Sequence, residues 1–66
     1  MASTQHLQEG YRERFRALLA RVQPRRLEFG VELLIERARA RRDGFGVPLD
    51  QALAALYAET RERVSA

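Results

Sequence analysis

Two interruptions divide this chain, and they constrain it more than any other feature. One is Gln23-Pro24; the other is the stretch "DGFGVPLD" at 43–50. Proline has no backbone N–H to donate and disfavours a helical residue before it. Gly and Pro together mark a turn. What remains is three segments, and each repeats its apolar residues at the three-to-four spacing of a helix. No segment alternates as a strand does.

In the first segment, 4–22, Leu7, Tyr11, Phe15, Leu18 and Val22 form a single stripe, with Leu19 beside it. Ser3 or Thr4 suits the N-cap. Glu9 precedes Arg12 by three residues and Glu13 precedes Arg16 by three, a pairing that supports a solvated helix face. Pro24 fits the first position of a second helix, so a break is the preferred reading. A kinked, continuous helix is the alternative, because Phe29, Leu33 and Ala40 continue the spacing from Val22.

The second segment, 24–43, carries two apolar sets. The wide one is Leu27, Val31, Leu34, Ile35 and Ala38; the narrow one is Phe29, Leu33 and Ala40. A helix apolar on two sides needs cover on both. Gly30 interrupts it, either to allow a close helix crossing or as a merely tolerated glycine. Glu28, Glu32 and Glu36 line its polar face, which reads as solvated. Gly44 after Asp43 is the expected C-terminal cap. In the third segment, 48–64, the stripe is Leu49, Leu53, Leu56, Tyr57, Thr60 and Val64. Pro48 and Asp50 suit its first turn, and Glu59–Arg63 is a favourable pair. The fold class is therefore all-α, a single three-helix domain over 1–66 with helices at about 4–22, 24–43 and 48–64 and a flexible start. The short connections fold consecutive helices back on one another.

At 66 residues, a chain buries only about 60% of its unfolded surface. Small cores of this kind are often completed by self-association. A homodimer is thus expected, with Phe29, Leu33, Ala40 and Leu19 at the interface. The chain has no Cys, which excludes disulfides and thiolate metal sites and makes a reducing cytoplasm the expected location. Its start lacks the basic head and apolar run of a signal peptide, and no apolar run reaches membrane-spanning length.

Catalysis requires a group that exchanges protons near neutral pH, or a nucleophile with its base. The one His, His6, lies near the amino terminus, and no Ser-His-acid grouping suggests itself. No glycine-rich phosphate loop is present, and the Glu ladder offers too few convergent oxygens for a cation. The expectation is a protein without enzymatic activity, cofactor, metal or small-molecule substrate.

The arginines remain. All twelve basic side chains are Arg, the residue best suited to planar pairing with carboxylate or phosphate. Residues 1–46 carry ten Arg against six acids, and 47–66 carry two against three. "ERARARRDGFG" at 36–46 places Arg37 and Arg41 beside the apolar surface, and Arg39 and Arg42 with the Glu ladder. Arg37, Arg41, Arg25, Arg26, Arg14 and Arg21 are the candidates for contacting a partner or polyanion. Phe45, between two glycines, either folds back onto the helix end or stands out as an anchor. Tyr11, Phe15 and Tyr57 fall on core stripes.

Residues 36–56 resemble the opening of a phage-repressor-type helix-turn-helix domain, through Arg37, Arg41, Gly46, Leu49, Ala52 and Leu53. The resemblance implies a DNA-reading helix after a second turn. Residues 57–66 show no such turn, and Gln51, Ala54, Ala55, Ala58 and Glu62 are poor material for reading base edges. Membership is not inferred. The preferred function is a regulatory adaptor or inhibitor that binds a protein through apolar helix faces flanked by Arg. The alternative is a small transcriptional regulator or other nucleic-acid-associated protein using Arg–phosphate contacts.

Overall fold

A computed structural model describes residues 4–65. It contains three α-helices, α1 (Thr4–Leu19), α2 (Leu27–Phe45) and α3 (Leu49–Ser65), with a 3-10 turn at Pro24–Arg26 before α2. Each helix packs against both others, in a body of 31 × 22 × 16 Å. The all-α class and the three segments stand as the sequence implied. The flexibility expected of the first residues, and Ser3 as a cap, lie outside the described residues.

Pro24 breaks the helix. The end of α1 tightens before it, with the Arg21 and Val22 amides donating to the Leu18 and Leu19 carbonyls at 3.3 and 3.0 Å. Gln23 then leaves helical geometry at φ −144°, as a residue before proline must. Val22, the last position of the apolar stripe, is thereby carried off the helix and is exposed.

Two boundaries differ from the sequence reading. Helix α2 begins at Leu27 rather than Pro24, because the three residues after the break form a tighter turn first. It also runs through Gly44. The cap is Gly46, which adopts the left-handed φ of +70° that glycine tolerates. There the Gly46 amide donates to the Arg42 carbonyl at 3.0 Å and the Val47 amide to the Arg41 carbonyl at 3.3 Å. The later stop lets Val47 turn back onto the core. Pro48 follows, its carbonyl accepting from the Ala52 amide at 2.9 Å to start α3.

The core is built from the expected faces. Phe15, Ile35 and Leu53, one from each helix, are fully buried, with Val31, Ala38, Ala52 and Leu56 around them. Phe15, Tyr11 and Tyr57 form a triangle of rings, with centroids 6.0 Å (Tyr11–Phe15), 6.1 Å (Phe15–Tyr57) and 6.4 Å (Tyr11–Tyr57) apart, the spacing of favourable aromatic pairs. The buried Thr60 hydroxyl is satisfied by the Leu56 carbonyl at 2.7 Å. Leu19, expected at a self-association surface, belongs to this core. Gly30 explains its position: a β-carbon there would stand 2.9 Å from Leu19 Cδ1 and 2.4 Å from Gln23 Nε2. The missing side chain is the space into which the Leu19 and Gln23 side chains at the end of α1 pack, so Gly30 is used for packing rather than merely tolerated.

The Glu ladder of α2 is not merely solvated. It faces α1, where Arg16 holds Glu28 through two hydrogen bonds of 2.9 Å while also meeting Glu13 at 3.1 Å. Arg12 pairs with Glu32 and lies 3.5 Å from Glu9. Glu36 meets Arg39 at 3.2 Å, and the Arg39 guanidinium also donates to the side-chain amide oxygen Oε1 of the buried Gln8 of α1 at 2.6 Å. The acid–base pairs expected within α1 therefore also join α1 to α2. No helix of the described residues is long and apolar enough to cross a membrane.

Candidate protein-binding groove

The ion pairs sort the arginines into two groups. Arg12, Arg16, Arg39, Arg41 and Arg42 hold carboxylates. Between them they engage seven of the nine acids and leave Asp50 and Glu62. Arg14, Arg21, Arg25, Arg26, Arg37, Arg61 and Arg63 pair with no carboxylate among the described residues. Arg14 instead lies over the Tyr11 ring, 4.9 Å from its centroid, a cation–π position.

Arg41 belongs to the engaged group, although the sequence placed it beside Arg37 as a contact residue. Its guanidinium crosses to α3 and donates to both carboxylate oxygens of Glu59, at 3.1 and 3.2 Å. Those hydrogen bonds hold the Glu59 carboxyl below its ordinary range and raise the Arg41 guanidinium. The same cause, hydrogen bonds from Arg16, lowers Glu28. Arg42 pairs with Asp43 at 3.0 Å, and Arg39 with Glu36.

Three unengaged arginines surround one apolar groove, about 450 Å³ in volume, between α2 and α3. Its floor is Leu19, Gly30, Leu34 and Thr60, all buried. Along the α2 wall stand Phe29, 65% exposed, and Leu33, 43% exposed, two residues assigned to the second apolar face of that helix. Val22 closes the end near the α1–α2 connection, and Val64 lies on α3. Arg26 and Arg37 stand on the α2 side and Arg63 on the α3 side. Among the described residues, no acid lines the groove.

The structure thus brings together Phe29, Leu33, Arg26 and Arg37 from the sequence-derived set. Ala40 lies on the same side of α2, exposed, but beyond the groove. Arg21 and Arg25 are exposed on the α1–α2 connection. Phe45 is at the opposite end of α2 and 83% exposed; Val47, not Phe45, makes the apolar contact after the cap. Arg63 and Val64 are the groove residues that sequence reasoning missed. Arg63 was assigned to Glu59 by spacing, but Arg41 takes that carboxylate, and Arg63 and Arg37 affect Glu59 only through weaker, longer-range attraction. Val64 was counted as core, yet it is only partly covered.

No family model, curated protein or solved structure matches the chain.

Proposed function

We propose that this protein is a regulatory adaptor or inhibitor that acts by binding another protein in the α2–α3 groove, without chemistry of its own. One observation carries the reading. The groove combines exposed Phe29 and Leu33 with three arginines that no described carboxylate engages. Apolar contact supplies affinity in such a site, while unpaired rim charges orient the partner and speed its encounter. Isolated exposed apolar residues are ordinary; a contiguous groove rimmed by charge is the form that interaction sites take. The test is crosslinking in the native cell. A photoreactive residue at Phe29 or Leu33 is expected to give discrete protein adducts, whereas one at exposed Gln51 on α3 gives none. Equal labelling at all three positions removes the reading.

A nucleic-acid role has its own support in Arg21, Arg25 and Arg26, unengaged and exposed on the α1–α2 connection. Phosphate binding of this sort weakens steeply with salt and depends little on base sequence. Titration of duplex DNA and structured RNA at low salt decides it; absence of binding there eliminates that role.

A further inference from the structure

The structure assigns the groove an occupant of defined chemistry: a short amphipathic helix whose apolar face is flanked by carboxylates. This rests on the groove being a protein interface, and it specifies what that interface recognises.

The argument begins with spacing. Arg26, Phe29, Leu33 and Arg37 follow one another at intervals of three, four and four, the positions that share one helix face. On α2 and its leading turn they form a stripe of roughly 16 Å, about three turns, with an arginine at each end and apolar side chains between. Opposite them, Thr60, Arg63 and Val64 of α3 repeat the three-and-four spacing. Two neighbouring helices with an open groove between them make the seat for another helix, which packs at about 8–10 Å from each axis. The apolar positions of such an occupant meet Phe29 and Leu33. Its flanking positions meet Arg26, Arg37 and Arg63, which carry positive charge and hold no described carboxylate in a contact ion pair, Arg37 and Arg63 feeling Glu59 only at longer range. Arginine favours carboxylates there because its planar fork binds both oxygens at once.

A second copy of this chain supplies that chemistry poorly. Seven of its nine acids are already engaged in ion pairs, and only Asp50 and Glu62 remain. A two-fold pairing of identical grooves also sets arginine against arginine. A phosphate backbone would use the arginines but leave the apolar floor and Phe29 unsatisfied.

The experiment uses three synthetic helical peptides of about 14 residues, ~20 Å long. All carry the same leucine face, flanked by Glu, Gln or Lys. Binding to the full chain is read by fluorescence anisotropy. The Glu peptide is expected to bind about tenfold more tightly than the Gln peptide, with Lys weakest. Arg37→Glu, and separately Arg63→Glu, should reverse the order of the Glu and Lys peptides. Both residues are exposed, and retained helical circular dichroism confirms that each variant folds. Leu33→Ser should weaken all three peptides.

Equal binding of all three peptides that still depends on Leu33 overturns the acidic occupant but leaves the groove an interface. Failure of every peptide, with a dimer in sedimentation that Phe29→Glu abolishes, assigns the groove to a second copy. Failure of every peptide without self-association removes both the acidic occupant and the interface.

Discussion

Replacing the helical glycines one at a time separates helix propensity from packing. Glycine in a helix interior costs about 1 kcal/mol relative to alanine. A β-carbon at Gly10 in α1, or at Gly44 in the last turn of α2, meets nothing within 4 Å. Gly10→Ala and Gly44→Ala should therefore each stabilise the fold by about 0.5–1 kcal/mol. Gly30→Ala begins with the same gain but meets Gln23 Nε2 at 2.4 Å and Leu19 Cδ1 at 2.9 Å. Gln23 is exposed, and its amide swings away for the loss of one long hydrogen bond, 3.4 Å, to the Arg26 carbonyl. Leu19 has no such freedom: it is 7% exposed and abuts a core filled by Phe15, Ile35 and Leu53. Forcing a methyl into a packed core costs about 1–3 kcal/mol. The net for Gly30→Ala is a loss of about 0–2 kcal/mol, which puts it roughly 2 kcal/mol below Gly10→Ala. In a domain this small, 1 kcal/mol moves Tm by about 4–8 °C. Thermal unfolding followed by helical circular dichroism resolves such a gap. In a Leu19→Ala background the obstruction is gone, and Gly30→Ala should turn stabilising, a non-additivity that marks direct contact. If Gly30→Ala stabilises the native chain as much as Gly10→Ala does, α1 does not pack into the space at Gly30 and the reasoning fails.

Phe15→Ala removes a fully buried ring from its cluster with Tyr11 and Tyr57. A loss of about 3–5 kcal/mol is comparable with the whole stability of a domain this size, so the variant should be largely unfolded by circular dichroism at room temperature. Acid should weaken the fold through Glu28 and Glu59, whose folded carboxyls titrate below their ordinary range because of Arg16 and Arg41. Their contribution is fully present above the usual Glu pKa of about 4.3 and is lost as pH falls through the lower folded value. Denaturant titrations should accordingly show native chain and Glu59→Gln converging on acidification; a gap that stays constant would count against the pairing. Phe29→Ser is expected to change stability by no more than about 0.5 kcal/mol, since the ring is already 65% exposed, while it lowers binding of an apolar fluorescent probe to the groove. A large loss of stability would place Phe29 in the core.

Sequence spacing revealed the helices because each buries one face, and Leu7, Phe15, Ile35, Leu53 and Leu56 all lie on stripes visible in a single segment. The break at Pro24 was legible for a similarly local reason, a missing donor. The choice between Gly44 and Gly46 as the cap was not. Either glycine tolerates the left-handed turn, and the decision rests on where Val47 must land against the core. Leu19 was misplaced because a stripe records angle around one helix, whereas its burial depends on the opening that Gly30 provides in another. Phe29 and Leu33 were legible as a second apolar face; the α3 side of the groove was not. Arg63 follows Glu59 by four residues, and nothing in α3 alone discloses that Arg41 of α2 claims that carboxylate.

The arginine run shows how tertiary pairing redistributes charge beyond what the sequence displays. The formal net charge of +3 comes from residues 1–46, where ten Arg face six acids, but that count does not separate one arginine from another. Once α1 meets α2 along the Glu ladder and α2 meets α3 at Arg41–Glu59, the acids are nearly exhausted by five arginines. Attraction between paired charges is strongest at contact, so the engaged arginines present little positive field to a partner, whereas the seven others, without a contact carboxylate, present most of theirs. Four of these, Arg21, Arg25, Arg26 and Arg63, lie on the α1–α2 connection or the last turn of α3. Arg37 extends the set along α2 to the far end of the apolar groove. The functional weight of "ERARARRDGFG" therefore falls on Arg37, because Arg39, Arg41 and Arg42 are held by Glu36, Glu59 and Asp43. The protein's capacity to recognise an acidic partner depends less on how many arginines it carries than on which ones its own carboxylates leave unpaired.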